Sequence, residues 1–130
     1  MATVLVVDDE FGIGDLLEGI LTDEGHHVVV AGNGRQALER LADTKIDLII
    51  SDLMMPVMDG AGLLRGLRQD PALDGVPFLL MCALPEDAIA DRISGHDGFL
   101  QKPFRTAEVL AAVEAALRNK RSDAKPPGDS

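Results

Sequence analysis

Two kinds of hydrophobic pattern alternate along the chain: short apolar runs, and stretches in which apolar residues recur every three or four positions. The runs predict strands at 3–7, 27–31, 46–51, 77–82 and 99–101. The helical spacing predicts helices at 11–24, 34–43, 60–69 and 107–119. Because strands and helices alternate, we expect an α/β fold in which a parallel five-stranded sheet carries helices on both faces.

Local signals place several helix boundaries. Asn33-Gly34 and Asp59-Gly60 are turn dipeptides that predict the starts of the second and third helices, and Thr106 is a candidate cap for the last one. The stretch 86–94 has the weakest pattern, since Ile89 and Ile93 are its only large apolar residues. A helix there is possible but poorly anchored.

Length and composition bound the organisation of the chain. With 130 residues, of which 46% are hydrophobic, we expect one globular domain over 1–120. Residues 121–130 contain no apolar anchor apart from one alanine, and we expect a disordered tail or a truncated linker.

Charge and cysteine content narrow the class of protein. A formal net charge of -10 repels phosphate backbones, which argues against direct nucleic-acid binding. The single cysteine, Cys82, excludes an internal disulfide and suits a reducing compartment. We find neither a signal peptide nor an apolar run of membrane-spanning length, so we expect a cytoplasmic protein with no membrane partner.

Charged residues follow three of the predicted strands. Asp8 and Asp9 follow the first, Asp52 the third and Lys102 the fifth. Since ligand sites in open α/β sheets form beyond the carboxyl ends of the strands, these groups should share one crevice. Such a site suits Mg²⁺ and a phosphoryl group, with Asp9 and Asp52 as direct ligands and Asp8 acting through water. One carboxylate could instead be a nucleophile toward phosphorus; Asp52 is the best candidate, with Lys102 binding the phosphoryl oxygens.

The stretches VLVVDDE (4–10), DLIISDLMMPVMDG (47–60) and FLQKPF (99–104) resemble the receiver domain of two-component response regulators. The resemblance implies a flavodoxin-like fold of strand order 2-1-3-4-5. It also implies that Asp52 accepts phosphate from the phosphohistidine of a histidine kinase, and that Asp8 and Asp9 bind Mg²⁺. The backbone carbonyl of Met54 would be a further ligand. Pro103 would follow a cis peptide that orients Lys102.

The chain departs from the pattern of that family near the fourth and fifth strands. Cys82 stands where the family usually has Ser or Thr, and Phe99 stands at the switch aromatic, where Tyr is frequent. The interval from Cys82 to Lys102 is also about two residues shorter than the resemblance implies. We therefore expect a short, distorted or mobile helix between these strands, and a weaker link between phosphorylation and conformation.

Three functions compete at this point. The leading hypothesis is a phosphoacceptor module that receives phosphate from a sensor histidine kinase or phosphotransfer protein and signals to an unknown downstream protein. The alternative is a phosphorylation-independent interaction domain whose switch is impaired by Cys82 and the shortened helix. An enzyme such as a small phosphatase is not expected, because no general acid or substrate lid is evident near Asp52.

Overall fold

Five short strands form one parallel sheet in the order β2-β1-β3-β4-β5, which confirms the predicted topology. The structure is a computed structural model and describes residues 2–118, so the predicted tail at 121–130 lies outside the described residues. The strands are β1 Thr3–Val7, β2 His27–Ala31, β3 Leu48–Asp52, β4 Phe78–Cys82 and β5 Gly98–Gln101. The third strand thus begins later than predicted and includes Asp52 itself.

Three α-helices connect consecutive strands, α1 Phe11–Asp23, α2 Gly34–Asp43 and α3 Gly60–Gln69, and within residues 2–118 a fourth, α4 Thr106–Arg118, follows β5. The predicted starts of α2 and α3 are confirmed, because Asn33 accepts a hydrogen bond from the N–H of Gln36 and Asp59 from that of Gly62. The prediction that Thr106 caps α4 is wrong. Thr106 is the first helical residue, and the Glu108 carboxylate instead accepts a hydrogen bond from the N–H of Arg105 at 2.7 Å.

A single short 3₁₀ helix, Glu86–Ile89, stands between β4 and β5. The expectation of a short element here is confirmed. Its two apolar residues, Ile89 and Ile93, are 1% and 6% exposed and hold the segment on the core. Two buried side chains are enough to anchor one helical turn to the core, but the rest of the segment remains at the surface.

The core forms two layers, one on each face of the sheet, as predicted. Strand residues alternate between these layers, so that Leu5 and Ile49 face α2 and α3, while Val4 and Ile50 face α1 and α4. Both faces of the central strands are therefore dry. This burial fixes the carboxyl ends of β1 and β3, which carry the acidic residues.

Candidate functional site

Three carboxylates meet at the carboxyl ends of β1 and β3. These strands are neighbours, with Val7 in register with Ser51, so Asp8 and Asp52 emerge side by side. One oxygen from each of Asp8, Asp9 and Asp52 lies within 4.8 Å of the others. Asp8 and Asp52 are 5% and 7% exposed, whereas Asp9 is exposed. The structure thus brings together the three acidic residues that the sequence singled out.

Lys102 completes the cluster from the end of β5. Its Nζ donates to Asp8 Oδ2 at 3.0 Å and lies 3.4 Å from Asp52 Oδ1. The backbone N–H of Lys102 donates to the carbonyl of Cys82 at 2.8 Å, and the Lys102–Pro103 peptide bond is cis. Lys102 is therefore held from the backbone while its ammonium group bridges two of the carboxylates.

Glu10 is a member of the cluster that the sequence analysis missed. Its Oε1 lies 3.4 Å from Lys102 Nζ, and its backbone N–H donates to Asp8 Oδ1 at 2.8 Å. The side chain of Glu10 is mostly exposed, at 64%. Its position directly after Asp8-Asp9 was the available signal, but an acidic residue before a helix is equally typical of a helix start.

The backbone around Asp52 is tightly enclosed. The N–H of Leu53 lies 3.1 Å from Asp52 Oδ1 and 3.0 Å from the carbonyl of Met81, and the N–H of Gly60 donates to the carbonyl of Leu53. A Cβ on Gly60 would lie only 2.5 Å from the carbonyl oxygen of Asp52. The close approach of α3 to the end of β3 thus requires glycine at position 60.

Burial and neighbouring charge perturb the titration of the cluster. Burial raises the pKa of Asp52 from 3.8 to about 6, and the Asp8 charge adds to this rise while Lys102 opposes it. For Lys102, burial alone lowers the pKa. The hydrogen bond to Asp8 and the charges of Asp52 and Asp8 outweigh that effect, and its pKa lies above the usual value. At neutral pH, Asp52 is therefore ionised in surroundings that disfavour its negative charge.

The donor set fits a hard divalent cation. Three carboxylates face a single ammonium group, so the cluster keeps a net negative charge that a cation would neutralise. Oxygen donors of this kind are those that Mg²⁺ prefers. The side chain of Met54 is exposed, at 56%, and the ligand role of its backbone carbonyl stays a prediction.

The two predicted switch positions lie near the cluster but outside it. Cys82 ends β4, is 2% exposed, and its Sγ accepts a hydrogen bond from the N–H of Leu84 at 3.5 Å. Phe99 is half-buried on β5, and its ring centroid lies 6.4 Å from that of His96. Cys82 directly precedes the shortened segment, and Phe99 lies two residues after the segment, on the edge strand β5.

Comparison with known proteins identifies relatives over most of the chain. Residues 4–114 match the response regulator receiver domain family. The DNA-binding response regulator MtrA of Mycobacterium tuberculosis is 38% identical over 125 residues, which cover 95% of this chain and 53% of MtrA. The chain therefore spans about half the length of the curated relatives that it matches.

Solved structures show the same architecture. The signal receiver domain of a signal transduction histidine kinase from Syntrophus aciditrophicus has a TM-score of 0.83 at 34% identity, with 91% of each chain covered. The chemotaxis protein CheY4 of Vibrio cholerae has a TM-score of 0.82 at 34% identity, covering 90% of this chain and 99% of CheY4. Both similarities cover about nine-tenths of this chain.

Proposed function

Because the chain belongs to the response regulator receiver domain family, we propose that Asp52 is its phosphoacceptor. The observation that carries this assignment is the position of Asp52. It is a buried carboxylate at the end of the central strand, with the Lys102 ammonium 3.4 Å away. The donor would be the phosphohistidine of a sensor histidine kinase or of a phosphotransfer protein.

In the proposed reaction, a carboxylate oxygen of Asp52 forms a bond to phosphorus while the bond from phosphorus to the donor imidazole nitrogen breaks. The electron pair of that bond remains on the imidazole nitrogen. Lys102 favours the ionised, nucleophilic form of Asp52 and then binds a phosphoryl oxygen. Positioning and charge neutralisation account for most of the catalysis in phosphoryl transfer.

We propose that Asp8, Asp9 and Asp52, together with the backbone carbonyl of Met54, hold Mg²⁺. The carboxylate oxygens lie within 4.8 Å of one another, which suits a shared cation. When bound, Mg²⁺ supplies the positive charge that offsets both the repulsion among the carboxylates and the negative charge of the phosphoryl group.

Signalling would then proceed through protein contacts, with Cys82 and Phe99 as the switch positions. We also propose that the protein is cytoplasmic and that it does not catalyse the turnover of a separate substrate. No helix among the described residues is long and apolar enough to cross a membrane. The intact acidic cluster and the family match favour phosphorylation over the alternative of a phosphorylation-independent interaction domain.

The test is the intact mass of the protein after incubation with acetyl phosphate, with and without Mg²⁺. The wild type should gain one phosphoryl group only with Mg²⁺, and Asp52→Asn should gain none. Asp59→Asn is the matched control, since Asn preserves the cap of α3 and the variant should react like the wild type. An equal gain in Asp52→Asn would show that the phosphoacceptor is another residue.

A further inference from the structure

A groove of about 340 Å³ lies between α3 and the segment that follows the 3₁₀ helix, and none of its lining residues belongs to the acidic cluster. Its lining combines apolar residues with several charged ones. Leu64 and Ile93 form part of its floor and are 3% and 6% exposed. The segment on one side of the groove follows the 3₁₀ turn Glu86–Ile89 in the connection between β4 and β5.

Three arginines line this groove, Arg65, Arg68 and Arg92, against one acidic residue, Asp91. Arg68 is engaged internally, since it donates to Asp97 Oδ2 at 2.9 Å and to the carbonyl of Asp74 at 3.0 Å. Arg65 makes no hydrogen bond or ion pair within residues 2–118. The guanidinium of Arg92 contacts a thioether, the Met54 Sδ at 3.1 Å, and no carboxylate of the described chain.

Two guanidinium groups thus face the groove without an anionic partner, on a chain whose net charge is -10. A guanidinium binds carboxylates through parallel N–H donors, and it is the group that proteins use most for planar anion recognition. A long polyanion such as nucleic acid would be repelled by the rest of the surface. A short acidic segment would meet the local charges of the groove, which are three arginines and one carboxylate, Asp91.

We propose that this groove binds an acidic peptide segment of a protein partner, with Arg65 and Arg92 binding its carboxylates. The apolar floor around Leu64 and Ile93 would accommodate an apolar side chain between the acidic ones. The site is separate from the phosphoacceptor cluster, and its charge does not depend on the assignment of Asp52.

Arg92 connects the groove to the acidic cluster. Arg92 contacts the side chain of Met54, and Met54 lies two positions after Asp52 in the sequence. A carboxylate is a far stronger acceptor than a thioether sulfur, so a bound segment takes the Arg92 guanidinium away from Met54. Occupation of the groove is therefore expected to change the surroundings of the Met54 methyl group.

The probe for this site is the hexapeptide Glu-Leu-Glu-Glu-Leu-Glu, titrated into the unphosphorylated full chain and followed by NMR. The arginine Nε–H signals of Arg65 and Arg92 and the methyl signal of Met54 should shift and saturate together. Arg65→Gln and Arg92→Gln should each lower the affinity about threefold to tenfold. Both side chains are exposed, so we expect both variants to fold.

Two controls make the result decisive. Arg35→Gln removes another exposed helical arginine, on α2 and outside the groove, and should bind the peptide like the wild type. The peptide Gln-Leu-Gln-Gln-Leu-Gln should not bind. No saturable shift, equal binding of the glutamine peptide, or an equal loss in Arg35→Gln would overturn the proposal.

Discussion

The acidic cluster and the β4–β5 segment (residues 83–97) are built in opposite ways. The cluster stands on β1 and β3, whose central residues Leu5 and Ile49 are fully buried. In the β4–β5 segment, only Ile89 and Ile93 are buried. The cluster therefore has a position fixed by the core, whereas the segment has a surface that can change without disturbing the core.

This difference separates two parts of a signalling module. The chemistry of phosphate uptake needs a few groups held to within fractions of an ångström, and packed strands provide this precision. A surface that recognises a partner tolerates substitution more readily than such chemistry does, and the loosely anchored segment is a surface of this kind. Alterations such as Cys82 and the single 3₁₀ turn lie in or beside the segment, and the cluster is intact.

The largest effect should come from adding one methyl group at Gly60. A Cβ there would lie 2.5 Å from the Asp52 carbonyl oxygen and 3.1 Å from Leu53 Cα, and both are backbone atoms that cannot move alone. We expect Gly60→Ala to lower the free energy of unfolding by about 3 kcal/mol. Phosphoryl uptake should slow as well, because Asp52 is displaced. Urea unfolding and intact mass measure the two effects.

Gly95→Ala is the matched substitution in the β4–β5 segment. Gly95 has a φ of +90°, but a Cβ there meets nothing within 4 Å. Only backbone strain remains, and we expect a loss of about 1 kcal/mol with unchanged phosphoryl uptake. If Gly95→Ala impaired uptake as much as Gly60→Ala does, the segment would be as important to the cluster as the strands are.

The sequence predicted the cluster well because its signals were local and repeated. Three of the five apolar runs are followed by charged residues, and the rule for parallel sheets places such strand ends together. Asp8, Asp52 and Lys102 could therefore be assigned to one site although Asp8 and Lys102 are 94 residues apart. Glu10 was missed because its ion pair with Lys102 depends on a side-chain conformation that no pattern records.

The β4–β5 segment was predictable only in outline. The short interval from Cys82 to Lys102 and the weak apolar pattern predicted a short, distorted or mobile helix, but not that it would be a single 3₁₀ turn. The pairing of Arg68 with Asp97 spans 29 residues and holds the end of α3 near the start of β5. A pairing of this kind has no periodic signature in the sequence. The groove beside this pair could not be predicted from the sequence either, because its lining residues come from two separated stretches of the chain.

An intermediate effect should come from removing the buried charge of Asp52. Its folded-state pKa of about 6 lies above the ordinary 3.8, so it contributes stability below about pH 4 that is lost as the pH rises through 6. Without divalent cations at pH 7.5, Asp52→Asn should therefore be more stable than the wild type by about 1–3 kcal/mol. This difference should vanish near pH 4.

The measurement is chemical unfolding of both proteins in a chelating buffer from pH 4 to 8. Subtracting the two stability curves removes the contribution of every other carboxylate. Asp91→Asn, in the β4–β5 segment, is the matched control and should stay within about 0.5 kcal/mol of the wild type at each pH. A stability difference between Asp52→Asn and wild type that did not change with pH would show that Asp52 carries no unfavourable charge.

The smallest effect on stability should come from Cys82→Thr, at the junction of the two regions. Cys82 Sγ accepts a long hydrogen bond from the Leu84 N–H, at 3.5 Å, and a hydroxyl oxygen is a better acceptor. We expect a stability change below about 1 kcal/mol.

The same substitution should change the response to phosphorylation, because the Thr hydroxyl can bond a phosphoryl group on Asp52 and draw residues 83–97 toward it. Acetyl phosphate should then shift the amide signals of that segment more in Cys82→Thr than in the wild type. Cys82→Val keeps the shape of Thr without the hydroxyl, so equal shifts in Thr and Val variants would mean that the segment responds to packing at position 82 and that a hydroxyl there plays no part.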